Sequence, residues 1–304
     1  MIMAEEEIDI ETLKNVGKVS RTALEYSKGV VKPGVSLLEA AEKIEKFIVE
    51  KGCEFSFPVN LSINSQAAHY SPDADDKSIF EENDLVKVDL GARKGHHLTD
   101  CAITIDLSGK NSKLVETSDK ALENALSVIK VGVEVRDIGK EIEKTARAAG
   151  LKVIQNLGGH GIEHDELHAG VFIPNYDNGD NTALEEWQIV AIEPFVTNGL
   201  GYVQNGEALQ IYQKIDNVAS RAKETREVSK YIDEHYLTYP FSIRWLVKEL
   251  DSLGEFSVRK AVAELMYAGA LEPFPVLIEK GNGLVSQSET QVLVEKDSCT
   301  IITK

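Results

Sequence analysis

An internal repeat constrains this chain more than any other feature. Residues 31–52 read VKPGVSLLEAAEKIEKFIVEKG, and residues 129–150 read IKVGVEVRDIGKEIEKTARAAG. At an offset of 98 and with no gap, Lys32, Gly34, Val35, Ile44, Glu45, Lys46 and Gly52 recur as Lys130, Gly132, Val133, Ile142, Glu143, Lys144 and Gly150. Each copy reads as a helix entered through Lys-x-Gly-Val and stopped by Gly. In the first copy Leu37, Ala41, Ile44 and Ile48 fall on one face at helical spacing. Charged helices share composition, but the shared entry and stop favour duplication. The segments downstream of the two copies also match. After the first come a loop with His69 and a strand, Leu85 to Leu90, that carries Asp89. After the second come a Gly-rich loop with His160 and His168 and a strand, Ile189 to Pro194, that carries Glu193. Two related halves would each offer a carboxylate and a histidine to a cleft at their junction.

Residues 216–272 break the pattern. Their periodicity predicts helices over Ala219 to Tyr236, Ser242 to Ser252 and Ser257 to Ala268, punctuated by Tyr239-Pro240 and Gly254. Strand-like segments come next, Val276 to Glu279, Leu284 to Ser288 and Thr290 to Val294, with the turn Lys280-Gly281-Asn282-Gly283 between the first two. The expected organisation is one catalytic domain, 1–215 and 273–304, interrupted by a helical insertion, 216–272. Three short helices before strands resemble a winged helix. Packing or partner docking is the expected role of the insertion.

Charge excludes some partners. With 33 Lys+Arg against 50 Asp+Glu the formal net charge is −17. Gripping nucleic acid by phosphate neutralisation needs a basic surface, and so does an anionic membrane surface. The insertion has eight basic and ten acidic residues, so nearly all the acid surplus lies outside it. Met1 to Glu7 is acidic and lacks the pattern of a signal peptide. No apolar run approaches a membrane span. Three scattered cysteines, Cys53, Cys101 and Cys299, read as reduced thiols in a cytoplasmic protein. His164-Asp165-Glu166-Leu167 spells an ER-retention signal, but that signal acts only at a C-terminus.

Several acids sit where acids are costly. In Val86-Lys87-Val88-Asp89-Leu90-Gly91 the valines and Leu90 share one strand face and Asp89 points the other way. In Thr99-Asp100-Cys101-Ala102-Ile103-Thr104-Ile105 the same alternation isolates Asp100. Gly91 and Gly95 permit a turn between the strands, so Asp89 and Asp100 can lie side by side. At ~4 Å and an effective dielectric of ~20 their repulsion costs about 4 kcal/mol. Such a pair persists if one acid is protonated or a cation neutralises both. Turn or edge carboxylates in solvent are the plain alternative. His160, in Gly158-Gly159-His160-Gly161, has glycines that argue for a backbone delivering the ring into a cleft rather than for a helix. His160, His164 and His168 have i, i+4, i+8 spacing, but His164 to His168 fits neither zincin pattern. Glu193 lies in an apolar strand, and Glu289 in a similar, more polar one, where an outward-facing Glu on an alternating strand is the plain alternative.

Asp89, Asp100, His160, Glu193 and Glu289 together make a ligand set for two divalent cations, since four carboxylates balance two 2+ charges. Oxygen-rich ligation with one nitrogen suits Mn, Fe, Co or Zn without choosing among them.

The segments Ala67-Ala68-His69-Tyr70-Ser71-Pro72, Lys87-Val88-Asp89-Leu90-Gly91, Thr99-Asp100-Cys101-Ala102, Gly159-His160-Gly161-Ile162, Ile192-Glu193-Pro194-Phe195 and Glu289-Thr290 resemble those of type II methionine aminopeptidases. The resemblance spans essentially the whole chain and includes the helical insertion between the last two ligands. It implies an α+β, pseudo-two-fold pita-bread fold with a winged-helix-like insertion. It implies a cytoplasmic metallopeptidase that removes initiator methionine when the second residue is small. Its substrates would be nascent-chain N-termini, met near the ribosome by a monomer that touches neither nucleic acid nor membrane. Asp100 and Glu289 would bridge the metals, Asp89 would complete one shell, and His160 and Glu193 the other. Glu193 would also shuttle the proton of the attacking water. His168 would support the scissile carbonyl, and His69 and Phe57 would flank the substrate N-terminus and the methionine pocket. Core packing is the alternative for Phe57. A prolidase or Xaa-Pro aminopeptidase of the same fold is the competing activity. A non-catalytic relative is the third reading, and it predicts missing ligands where none is missing.

Overall fold

The computed structural model describes residues 9–304. The acidic segment Met1 to Glu7 therefore lies outside the described residues. No helix among them is long and apolar enough to cross a membrane.

The duplicated segments fold alike, down to single hydrogen bonds. Helix Leu37–Glu50 is entered through Ser36, whose hydroxyl caps Glu39 N, and helix Val135–Ala148 is entered at Glu134. In the first copy Gly34 N donates to Phe80 O and Phe80 N to Val35 O. In the second, Gly132 N donates to Leu184 O and Leu184 N to Val133 O. Gly34 and Gly132 both take φ near +80° (83° and 80°), a conformation that L side chains avoid. The shared entry is thus a backbone requirement, and it docks each helix against an equivalent loop.

Each repeat helix packs with the helix before it onto its own sheet. Helices Ile10–Val30 and Leu37–Glu50 cover the three-stranded sheet Asn60–Ile63, Leu85–Leu90 and Cys101–Asp106, with Leu24, Ile44, Ile48, Val86, Val88 and Leu90 fully buried between them. Helices Ser112–Leu126 and Val135–Ala148 cover a second layer through Ile138, Ile142, Val190, Ile192 and Val292. Its main sheet runs Glu166–Pro174, Gly158–Glu163, Ile189–Ile192, Thr290–Val294 and Cys299–Ile301. The halves are stitched at the centre. Glu289 N donates to Ala102 O (3.0 Å), and the Thr104 hydroxyl donates to Gln287 O (2.7 Å).

Some sequence expectations need correction. His160 lies in the strand Gly158–Glu163, not in a loop, and the His164–His168 stretch is the turn and return of a hairpin, not a helix. The glycines serve close approach here. A Cβ on Gly159 would stand 2.1 Å from Ala191 O, and one on Gly161 2.3 Å from Ala169 O. Gly91 is similar, at 1.9 Å from Thr99 O. The turn 280–283 joins strands of different sheets, because Leu271–Glu279 pairs with Val203–Lys214 while Val285–Gln287 pairs with Phe195–Thr197.

That long pair, Val203–Lys214 with Leu271–Glu279, brackets the helices Lys223–His235, Ile243–Glu249 and Glu255–Tyr267. The three helices share a core of their own, with Val228, Ile232, Leu246, Val258 and Val262 buried. They are held to the first half by a buried ion pair between Arg244 and Glu45 and by a bidentate Arg259–Asp73 pair (2.8 and 2.9 Å). Arg244 also donates to Ser71 Oγ and to Pro72 O, just beyond His69. Cys53, Cys101 and Cys299 are free thiols, the first two buried.

Candidate metal centre

The halves meet over a cleft of about 600 Å³. Asp89, Asp100, His160, Glu193 and Glu289 all line it, with Phe57, His69 and His168. A larger cavity, about 800 Å³, opens between helix Leu37–Glu50 and the helices Lys223–His235 and Ile243–Glu249. It contains none of the five proposed ligands, so size does not mark the chemistry here.

Each side chain is placed by the end of a strand or by strand alternation. Asp89 pairs with Ala102 in the register of Leu85–Leu90 against Cys101–Asp106, and Val88 with Ile103 on the opposite face. Asp100 immediately precedes the second of these strands. Its N–H donates to Gln291 Oε1 (3.0 Å), and Gln291 Nε2 donates to Leu98 O (3.1 Å). Glu193 comes directly after Ile189–Ile192, and Glu289 precedes Thr290–Val294, its antiparallel partner. The acids of each half therefore flank one antiparallel pair.

His160 Nδ1 donates to Gly161 O (3.0 Å), which leaves Nε2 with its lone pair. Nε2 lies 3.5 Å from Asp100 Oδ2 and 3.8 Å from Glu193 Oε1. Ligand atoms of Asp100, His160 and Glu289 all fall within 4.8 Å of one another. Asp89 and Glu193 stand outside that tightest group but line the same cleft.

The electrostatics demand a counter-charge. Burial, and then the Asp100 charge, push Asp89 and Glu289 well above the usual carboxylate range. Glu193 is raised by the same two causes. Burial raises Asp100 too, against the opposing pull of His160. Asp89 Oδ1, Asp100 Oδ1 and Glu289 Oε1 are buried with no hydrogen-bond partner. Orphaned carboxylate oxygens are expensive unless something coordinates them. Hard oxygen donors around one imidazole nitrogen fit divalent first-row metal ions. On these observations the residues present fit such a group.

The wall of the cleft is aromatic. The His168 and His160 rings lie 4.4 Å apart between centroids, and Phe274 stands 5.9 Å from His168 and 5.5 Å from His69. His168 is open to the cleft, yet its enclosing walls, and then His160, lower its basicity. Burial lowers His69 to about 4, so its ring is neutral near pH 7, with Nδ1 3.2 Å from Pro275 O. His69 also holds φ at +68°. Phe57 is buried against Leu13, Leu98, Ile162 and Leu167 while one side faces the cleft, so core packing and a lining position coincide.

Sequence reasoning missed Gln287, Gln291 and Phe274. Gln287 Nε2 donates to Glu193 Oε2 (3.3 Å) and to Glu289 Oε2 (3.2 Å). The signal available was the spacing Gln287-x-Glu289-x-Gln291, which runs from the end of one strand, Val285–Gln287, into the next, Thr290–Val294, and is hidden by a polar context.

Residues 11–229 match the family Metallopeptidase family M24. A methionine aminopeptidase of Pyrococcus horikoshii is 42% identical over 298 residues, covering 98% of this chain and 100% of the relative. Among solved structures a thermophilic Arx1 superposes with a TM-score of 0.83 at 18% identity, covering 97% of this chain and 91% of that one. The prolidase of Pyrococcus furiosus gives a TM-score of 0.63 at 18% identity, and the match covers 97% of this chain but only 64% of the prolidase. The pita-bread fold, the two-layer junction and the carboxylate–histidine set agree with the sequence match, and this chain is a metal-dependent aminopeptidase of metallopeptidase family M24.

Proposed function

We propose that the protein removes the initiator methionine from newly made chains whose second residue is small. One observation carries the reading: a complete four-carboxylate, one-histidine cleft in a chain whose full-length relatives are named methionine aminopeptidases. Asp100 and Glu289 would serve both divalent ions, Asp89 would help to hold one, and His160 and Glu193 the other. Co, Mn, Fe and Zn all suit this donor set.

Bound divalent ions would supply Lewis acidity and a lowered pKa for the attacking water. Glu193 would accept the proton of the attacking water and return it to the departing amine. His168, neutral at pH 7, donates its N–H to the oxygen on which charge develops. His69 and Phe57 enclose the methionine side chain and hold the N-terminus in line with the carboxylates.

Nascent N-termini are the substrates in this reading, met near the ribosome by a cytoplasmic monomer without direct nucleic-acid or membrane contact. The segment 216–272 is read as an insertion subdomain, supported by its separate core and its paired-strand stem. Curated relatives named methionine aminopeptidase, matched over nearly their whole length at about 40% identity, favour methionine over Xaa-Pro as the specificity. Purified protein with Mn or Co should release Met from a Met-Ala peptide in preference to cleaving Xaa-Pro peptides. Failure to release Met with any divalent metal would refute the proposal, and preference for Xaa-Pro would install its competitor.

A further inference from the structure

Glu193 and Glu289 reach the cleft from different strands, and each has one oxygen occupied. Gln287 Nε2 donates to Glu193 Oε2 (3.3 Å) and to Glu289 Oε2 (3.2 Å), and Asp89 also draws on the same amide. The remaining oxygens face the site. Glu193 Oε1 is 3.8 Å from His160 Nε2, and Glu289 Oε1 is buried without a partner. Gln287 is fully buried and its backbone is fixed: the main-chain N–H donates to Thr104 Oγ1 (2.8 Å) and the main-chain carbonyl accepts from the same hydroxyl (2.7 Å), while the side-chain Oε1 is buried without a partner. Its strand is paired through Phe195, two residues beyond Glu193.

We propose that Gln287 is a positioning residue for the metal centre, locking one oxygen of each glutamate so that the other is presented. A flexible glutamate loses side-chain entropy when it ligates, and a clamp fixed by the fold meets that loss in advance. The residue type also fits. A lysine here would neutralise the acids without metal, and an apolar side chain would leave both Oε2 atoms buried and unpaired. The inference rests on the reading of Glu193 and Glu289 as ligands.

Metal-free wild type and the near-isosteric Gln287→Met should be titrated with Mn2+ by calorimetry. Loss of an outer partner raises metal Kd by about 10–100-fold in comparable sites, and that is the expected change. The visible spectrum of the Co2+-loaded variant should shift as well. In Mn2+-saturated protein kcat should fall while the peptide KM stays within about twofold, since the clamp does not touch substrate. Gln287→Glu, with the same shape but no donor pair, should weaken Mn2+ binding at least as much. If Gln287→Met fails to fold, Gln287→Glu decides. Wild type that binds no Mn2+ would sink the ligand reading itself. Wild type that binds, with a variant of unchanged Kd and Co2+ spectrum, would overturn the clamp alone.

Discussion

At the scale of residues, Asp100, proposed to ligate metal, and His168, proposed to act on substrate, sit in different surroundings. Asp100 has its backbone pinned by Gln291 and one buried oxygen without a partner, while His168 stands open on the cleft wall. Substituting them should therefore fail differently. Asp100→Asn should abolish Met release and weaken Mn2+ binding, with a far-UV spectrum like wild type. His168→Ala should lower kcat by about 10²-fold or more, in the range for losing a donor to developing charge, with little effect on metal affinity. Equal metal loss in both would move His168 into the ligand shell; unchanged activity in Asp100→Asn would remove Asp100 from it. These two residues also show what a sequence can and cannot disclose. Asp100 is legible because alternation isolates an acid in an apolar strand. Gln287 and Gln291 are not, because Ser286-Gln287-Ser288-Glu289-Thr290-Gln291 reads as an exposed polar strand. Only burial by the opposite half turns those amides into buried donors and acceptors.

At the scale of elements, the strand Gly158–Glu163 fixes where His160 sits. It is squeezed between Glu166–Pro174 and Ile189–Ile192, the strand that leads into Glu193. Gly159→Ala would set a Cβ 2.1 Å from Ala191 O, a rigid backbone atom. The strands must part, at a cost of about 1–3 kcal/mol for overpacking. The expected outcome is a lower Tm together with weaker Mn2+ binding, because the separation moves His160 away from Glu193. A Tm and metal affinity equal to wild type would show that the close approach is dispensable. Local sequence suggested a loop here, since three glycines in four residues look like punctuation; the reason for them is close approach by Ile173 and Ala169 on one side and Ala191 on the other. The same limit hid the longest strand pair. Val203–Lys214 finds its partner Leu271–Glu279 only across the intervening helices, whereas the helices themselves were readable from periodicity.

At the scale of the molecule, the duplication and the charge converge on one cleft. The repeat supplies two half-sites whose acids repel until a cation joins them, so function resides at the seam rather than in either half. Two divalent ions would raise the formal charge from −17 to about −13. Their effect on the site is larger than on the total. Among the described residues the cleft is lined by Asp89, Asp100, Glu193, Glu289, Glu166 and Glu272 and by no lysine or arginine. Glu166 and Glu272 are exposed and remain as net negative charge once the four ligands are balanced. A peptide substrate arrives with a protonated N-terminus, and field lines converge in such a cleft. The kcat/KM of the metal-loaded enzyme should therefore fall as ionic strength rises from about 0.01 M to 0.15 M, where the screening length shrinks from ~30 Å to ~8 Å. The effect should lie mainly in KM and steepen when Lys comes after the small second residue. It should weaken in Glu166→Gln/Glu272→Gln, which leaves every ligand in place. A flat salt profile for neutral and cationic peptides alike would show that the acidity of the catalytic halves keeps the protein in solution but does not draw substrate in.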